Sequence, residues 1–167
     1  MIGNLQAITV ITSCKNSGTV TAGGFAGGMC GKATANLSVF GCYNEGTITA
    51  NNAGGVSAPG NATISGCYNI GTVSGSSTSG AITPGATSVS ECYVKEIIGT
   101  DSGSETAFGD GAWPTSTSGS VWLAAPDNDG TYTAGANGVP TGNYKFWKSL
   151  GSWNGGTPEY PKLWWEE

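Results

Sequence analysis

Histidine and arginine are missing altogether, and lysine occurs only six times in 167 residues. Without histidine the chain lacks the side chain that most often shuttles protons near neutral pH. With a formal net charge of −5 and so few cations it cannot neutralise a run of phosphates, which argues against a nucleic-acid partner. No apolar run is long enough to span a bilayer as a helix. The first residues carry neither a basic segment nor an apolar core, so they do not read as a signal peptide. Charged residues make up 10% of the chain while glycine occurs 29 times, and this scarcity of helix formers beside many Thr and Ser points to an all-β protein.

What is present is a repeat. "SCKNSGTVTA" begins at Ser13, "GCYNEGTITA" at Gly41, "GCYNIGTVSG" at Gly66 and a decayed "ECYVKEIIGT" at Glu91. Successive cysteines, Cys14, Cys42, Cys67 and Cys92, are 28, 25 and 25 residues apart, a period that marks solenoids and arrays. "GGFAGG", "GGVSAPG" and "GAITPG" recur in phase with them, and "MIGNLQ" fits the same slot, so the chain reads as starting in mid-repeat, a piece of a longer protein.

Each unit of about 25 residues offers three short strand candidates, typified by "ATISGC", "GTVSG" and "GAIT". A glycine-dense unit of this kind cannot be helical, since each interior glycine would cost close to ~1 kcal/mol. The sequence predicts a right-handed parallel β-solenoid of about three coils over 1–96, followed over 97–167 by an aromatic-rich β capping segment. Three interior columns are expected: Ile11, Val39, Ile64 and Val89; Val20, Ile48 and Val73; and Phe25, Val56 and Ile82. Asn16, Asn44 and Asn69 should bond their own turns and their stacked neighbours, with Gly18, Gly46 and Gly71 supplying positive φ. The four in-phase cysteines should point the same way as a column of free thiols rather than pair. Cys30 stands apart, in the "GGMCGK" insertion assigned to the longer first interval.

These stretches, "GGFAG" and its partners set between "CYNxGTV" segments, resemble the GLUG-motif repeats of large bacterial surface and secreted proteins. The resemblance covers residues 2 to about 95, and "FWKSLGSWNGGTPEYPKLWWEE" (146–167) resembles the tail that often closes such arrays. Phe25, Val56 and Ile82 stand where leucine is usual in that motif. The resemblance implies an extracellular, cell-surface or secreted repeat domain, adhesin-like and non-catalytic, serving as stalk, scaffold or adhesion module. It transfers no catalytic residue.

Several side-chain groups are candidates for chemistry. Lys15, Lys32, Glu45 and Glu91 are spread over different columns, which is a poor basis for an acid–base pair or a metal site. "DNDG" places Asp127 and Asp129 two residues apart before a turn glycine, half of a Ca2+ loop, against the simpler reading of an Asx turn. Thr19/Thr21, Thr47/Thr49 and Thr72/Ser74 would form a hydroxyl ladder like the ice-binding face of some solenoids, though ordinary solvent-side β-formers explain them as well. Tyr43, Tyr68 and Tyr93 would make an outward tyrosine ladder. Sequons at Asn36 and Asn61 carry no weight in a bacterial protein. All six tryptophans follow Ala112. They read first as the core of a cap over the open end of the solenoid. The alternative is a carbohydrate-binding surface, with Trp113, Trp122, Trp153 and Trp164 as its candidates. The partners then expected are a glycan or a host or cell-surface protein, and a second copy pairing edge to edge through the N-terminal coil.

Overall fold

Short β-formers separated by turns leave each coil with apolar residues that it cannot bury alone, so the coils stack and equivalent strands pair. In the computed structural model, residues 2–5, 7, 9–86, 88–99, 105–109, 112–116, 121–122, 124, 133–134, 140–141 and 146–167 are described. Among them there is no helix, and therefore none long and apolar enough to cross a membrane. One face of the solenoid is the parallel series Thr9–Thr12, Leu37–Phe40, Ala62–Ser65 and Ser88–Ser90. A second face, past a corner, is Lys15–Asn16, Tyr43–Asn44, Tyr68–Asn69, Cys92–Val94 and Glu105–Ala107. The third is Thr19–Thr21 and Phe25–Gly27 against Thr47–Gly54, with Thr72–Gly80 beyond. Ile2–Leu5 pairs in parallel with Cys30–Ala33 and begins a coil ahead of the first full one. The fold is thus an all-β solenoid of about three turns, as the repeat predicts.

Two of the expected columns are present in register. Ile11 pairs with Val39, Val39 with Ile64 and Ile64 with Val89; Val20, Ile48 and Val73 line up in the same way. All seven side chains are buried. Each such side chain stabilises by about 1.5–3 kcal/mol relative to exposure. The third column differs from expectation. Phe25 pairs with Asn52 and is 38% exposed, with the Lys32 ammonium 4.3 Å from its ring centre. Its place over Val56 and Ile82 is taken by Met29, whose amide donates to the Val56 carbonyl as the Val56 amide donates to that of Ile82. The visible similarity of "GGF" to "GGV" misled the alignment because the first coil holds its extra residues in two places. Thr21 pairs with Thr49, Phe25 with Asn52 and Leu37 with Ala62, so the first coil bulges both at 22–24 and at 31–36. Cys30 lies between these bulges, fully buried and paired with Ile2 and bridged to Ser57.

The strand pattern also departs from expectation in detail. "GTVSG" does not stop at a turn but runs on as Thr72–Gly80, and a two-residue strand follows each of Cys14, Cys42 and Cys67. Past the expected boundary at 96, Glu105–Ala107 adds one further strand to the second face.

The asparagines behave as expected. Asn16 Nδ2 donates to Asn44 Oδ1 and Asn44 Nδ2 to Asn69 Oδ1, each at 2.7 Å, and each amide also closes its own turn onto Gly18, Gly46 or Gly71. Those glycines are not at positive φ. Their role is close approach, since a Cβ on Gly46 would sit 2.0 Å from the Gly18 carbonyl oxygen and one on Gly71 2.0 Å from that of Gly46. Positive φ falls instead on the residue before each corner cysteine: Ser13 (50°), Gly41 (54°), Gly66 (60°) and Glu91 (50°).

Replacing Ile48, fully buried at the centre of its column, by Ala should cost about 2–5 kcal/mol, whereas Thr49→Ala on the solvent side should change stability by less than about 0.5 kcal/mol. Denaturant unfolding of the two variants checks this; equal losses would contradict the inward and outward assignment.

Candidate functional site

Three of the four corner cysteines are walled in. Cys42, Cys67 and Cys92 are fully buried free thiols, and each S–H points at the carbonyl two residues back: Phe40 O at 3.3 Å, Ser65 O at 3.5 Å and Ser90 O at 3.3 Å. Burial pushes all three thiols well above their ordinary pKa. Cys14 opens the column and is exposed. The neighbouring Cys42 thiol holds its pKa low, at about 6. No disulfide joins the described cysteines.

The tyrosine ladder projects outward from the coils, but it is covered. Tyr43 and Tyr68 stack with ring centres 4.4 Å apart and planes 8° from parallel, and both are buried. Phe40, Phe146, Trp122, Trp147 and Leu163 complete this second core. The C-terminal segment therefore lies along the side of the solenoid rather than across its end. Trp147–Ser149 pairs antiparallel with Lys162–Leu163 to form a small ribbon over the ladder. Hydrogen bonds tie it to successive coils: Trp122 Nε1 donates to Glu91 O (2.8 Å), the Tyr68 hydroxyl to Pro161 O (2.7 Å) and Trp165 Nε1 to Ser13 O (2.8 Å). The bare corners make room for it. A Cβ on Gly41 would meet the Phe146 ring at 2.3 Å, and one on Gly66 would meet Val121 at 2.6 Å.

Glu166 fastens the end of this clasp. It accepts hydrogen bonds from the Tyr43 hydroxyl (2.6 Å), the Lys15 ammonium (3.0 Å) and the Leu163 amide (2.8 Å), while Lys15 also pairs with Glu45 at 3.0 Å. Burial opposes ionisation of Glu166, but bonds from Tyr43, Leu163 and Lys15 outweigh it, and the carboxyl sits below its ordinary value. Tyr43, Glu45 and Glu166 together hold the Lys15 ammonium above its own.

The four candidate tryptophans separate. Trp122 is buried at 3% exposure and stacks on Trp147 at 4.7 Å, so it belongs to the clasp's core and offers no face to a ligand. Trp113 and Trp153 are half-buried and stack on each other at 6.4 Å, with Trp113 Nε1 anchored to Leu150 O. Trp164 is 42% exposed and Trp165 47%. Trp113 also stacks on Tyr160 (5.9 Å). The sequence reading missed Tyr160 as a surface residue, although the "PEYPK" stretch, an aromatic between two prolines, was a signal for a fixed, presented ring. Two clefts share Tyr160 as a wall. One, of about 260 Å3, is bounded by Lys95, Phe108, Trp153 and Pro158; the other, of about 490 Å3, by Lys148, Ser149, Glu159 and Lys162 among others.

Asp127 and Asp129 lie outside the described residues, and no three Cys, Asp or Glu side chains converge as metal ligands among the described ones. Thr133–Ala134 pairs antiparallel with Pro140–Thr141. The threonine ladder is in register and exposed on the third face. The chain matches no family model, no curated protein and no solved structure.

Iodoacetamide at neutral pH should modify Cys14 and leave Cys42, Cys67 and Cys92 untouched until the fold is opened; peptide mapping that finds a corner cysteine labelled alongside Cys14 would contradict the buried column. The Glu166 carboxyl is lowered in the folded state, so its stabilisation is full above the ordinary value of 4.5 and fades as pH falls through the lower folded value. Glu166→Gln should cost about 1–2 kcal/mol at neutral pH and flatten the acid limb of a melting-temperature profile between pH 3 and 5; an unchanged acid limb would rule out the latch.

Proposed function

We propose that this chain is a non-catalytic extracellular repeat module of a bacterial cell-surface or secreted adhesin-like protein, a stalk or scaffold. The observation that carries the reading is the in-register stack, in which every coil buries its apolar columns against the next, so that length grows by adding coils. The likeness of "GCYNEGTITA" and its copies to GLUG-motif repeats supports a bacterial, surface-exposed setting. On the open side, Thr9–Thr12, Lys15–Asn16 and Thr19–Thr21 are the terminal strands of their faces, an edge on which a second copy would pair. A host or cell-surface protein would dock on the outer faces.

A second reading, a carbohydrate-binding module, is favoured by the half-exposed Trp153 and by the exposed Trp164 and Trp165. Aromatic faces left to solvent by an otherwise well-packed segment are the means by which proteins stack on sugar rings.

Antibody raised against this chain should label intact cells that express the protein, and brief protease treatment of those cells should release its peptides. Labelling that needs lysis would refute the surface reading.

A further inference from the structure

Of the surfaces left open on the solenoid, the pair of clefts on either side of Tyr160 has the most complete equipment for a ligand. We propose that they form one binding site for an uncharged oligosaccharide, with Tyr160 as its central platform. The proposal rests on the carbohydrate-binding reading and gives it a location and a ligand class.

Ring geometry is the first support. Trp153, Trp113 and Tyr160 form a stack whose planes lie within 22–25° of one another pairwise through Trp113, and Trp113 is fixed by its bond to Leu150 O at 2.7 Å. Tyr160 is also held by Phe108, edge-on at 5.2 Å, and by Tyr68, near-parallel at 6.3 Å. Pro158 and Pro161 flank it in sequence and limit its backbone. The rings are therefore held before any ligand arrives, which lowers the ordering cost of binding.

Unused polar groups are the second support. Among the described residues neither the Trp153 and Trp164 indole N–H groups nor the Tyr160 hydroxyl makes a hydrogen bond, although the indoles of Trp113, Trp122, Trp147 and Trp165 all do. A donor and a donor–acceptor at the edge of apolar ring faces match a sugar, which presents C–H faces and hydroxyl rims together. Size and charge select within that class. The smaller cleft, about 260 Å3, lies just under the usual ligand range of about 300–1,000 Å3, and the larger, about 490 Å3, lies within it, so the site suits a few linked rings lying across Tyr160. Lys148 and Lys162 in the larger cleft are offset by Glu159 and Glu167, and both ammonium groups are engaged by backbone oxygens, of Glu166 and Glu167. The larger cleft thus favours neither sign of charge, and Lys95 is the single charge lining the smaller one.

The test is titration of the intact chain with neutral cello-, xylo-, manno- and galacto-oligosaccharides of three to six units, read by tryptophan emission and by calorimetry. At least one series should bind saturably. Trp153→Ala and Tyr160→Ala should each weaken that binding tenfold or more, and Thr49→Ala, on the solvent side of the third face, should change it by less than twofold. Because Tyr160→Ala also removes a packed ring, Tyr160→Phe serves as its partner variant, which should keep the fold and lose affinity through the hydroxyl alone. Absence of binding to every neutral series, binding confined to acidic sugars, or binding indifferent to Trp153→Ala would overturn the proposal. Surface labelling of intact cells is unaffected by any of these outcomes, so the scaffold reading stands or falls separately.

Discussion

Parallel stacking in register is the constraint on which the rest of this structure depends. Strands about 4.8 Å apart place each residue beside its own counterpart in the neighbouring coil, so every position must tolerate a copy of itself. Asparagine does so because its amide is both donor and acceptor, and the Asn16–Asn44–Asn69 chain of 2.7 Å bonds uses both ends. Tyrosine stacks face on face, cysteine offers a small thiol to the carbonyl nearby, and β-branched residues fill the inner columns. A charge cannot sit next to its like without repulsion. The low charge content follows: Lys15 pairs with Tyr43, Glu91 follows Ser13, Gly41 and Gly66 at the corner, and Glu45 and Lys95, which share a column, are opposite in sign with Ile70 between them.

That corner couples the coils to the aromatic segment. A left-handed backbone residue precedes each cysteine, and in the two middle coils it is glycine. Glycine adopts this conformation without strain and, lacking a side chain, leaves a hollow that Phe146 and Val121 fill. Ser13 and Glu91 keep side chains in the same conformation where the ladder ends, and their carbonyls receive the indole N–H of Trp165 and Trp122. The same corner thus turns the chain, admits the clasp and anchors it. The clasp buries the outward tyrosines and leaves the edge of its own ring stack, at Trp153 and Tyr160, open to solvent.

Columns whose members share one spacing were readable from the repeat: Ile11 to Val89, Val20 to Val73, the asparagines and the cysteines. Phe25 was misplaced because two bulges shift the first coil by different amounts, and register inside a bulge is set by which backbone groups find partners rather than by local similarity. The role of Gly46 and Gly71 was misread for a related reason. A glycine needed for close approach and one needed for positive φ look the same in sequence, and only the neighbouring carbonyl distinguishes them.

By itself the sequence determined the period, the β class and the stacking of like on like, because these follow from residue types recurring at a fixed interval. Only the tertiary structure decided what the tryptophans do. Segment 146–167 has no internal repeat to fix its partner, and it could have closed the open end or lain along the side. The hollows at Gly41 and Gly66, the Tyr43 and Tyr68 hydroxyls and the Lys15 ammonium are brought into one line only when the coils stack, and that line draws the segment to the side. Burial of Trp122 and exposure of Trp153 are consequences of that docking, which the spacing of the tryptophans does not encode.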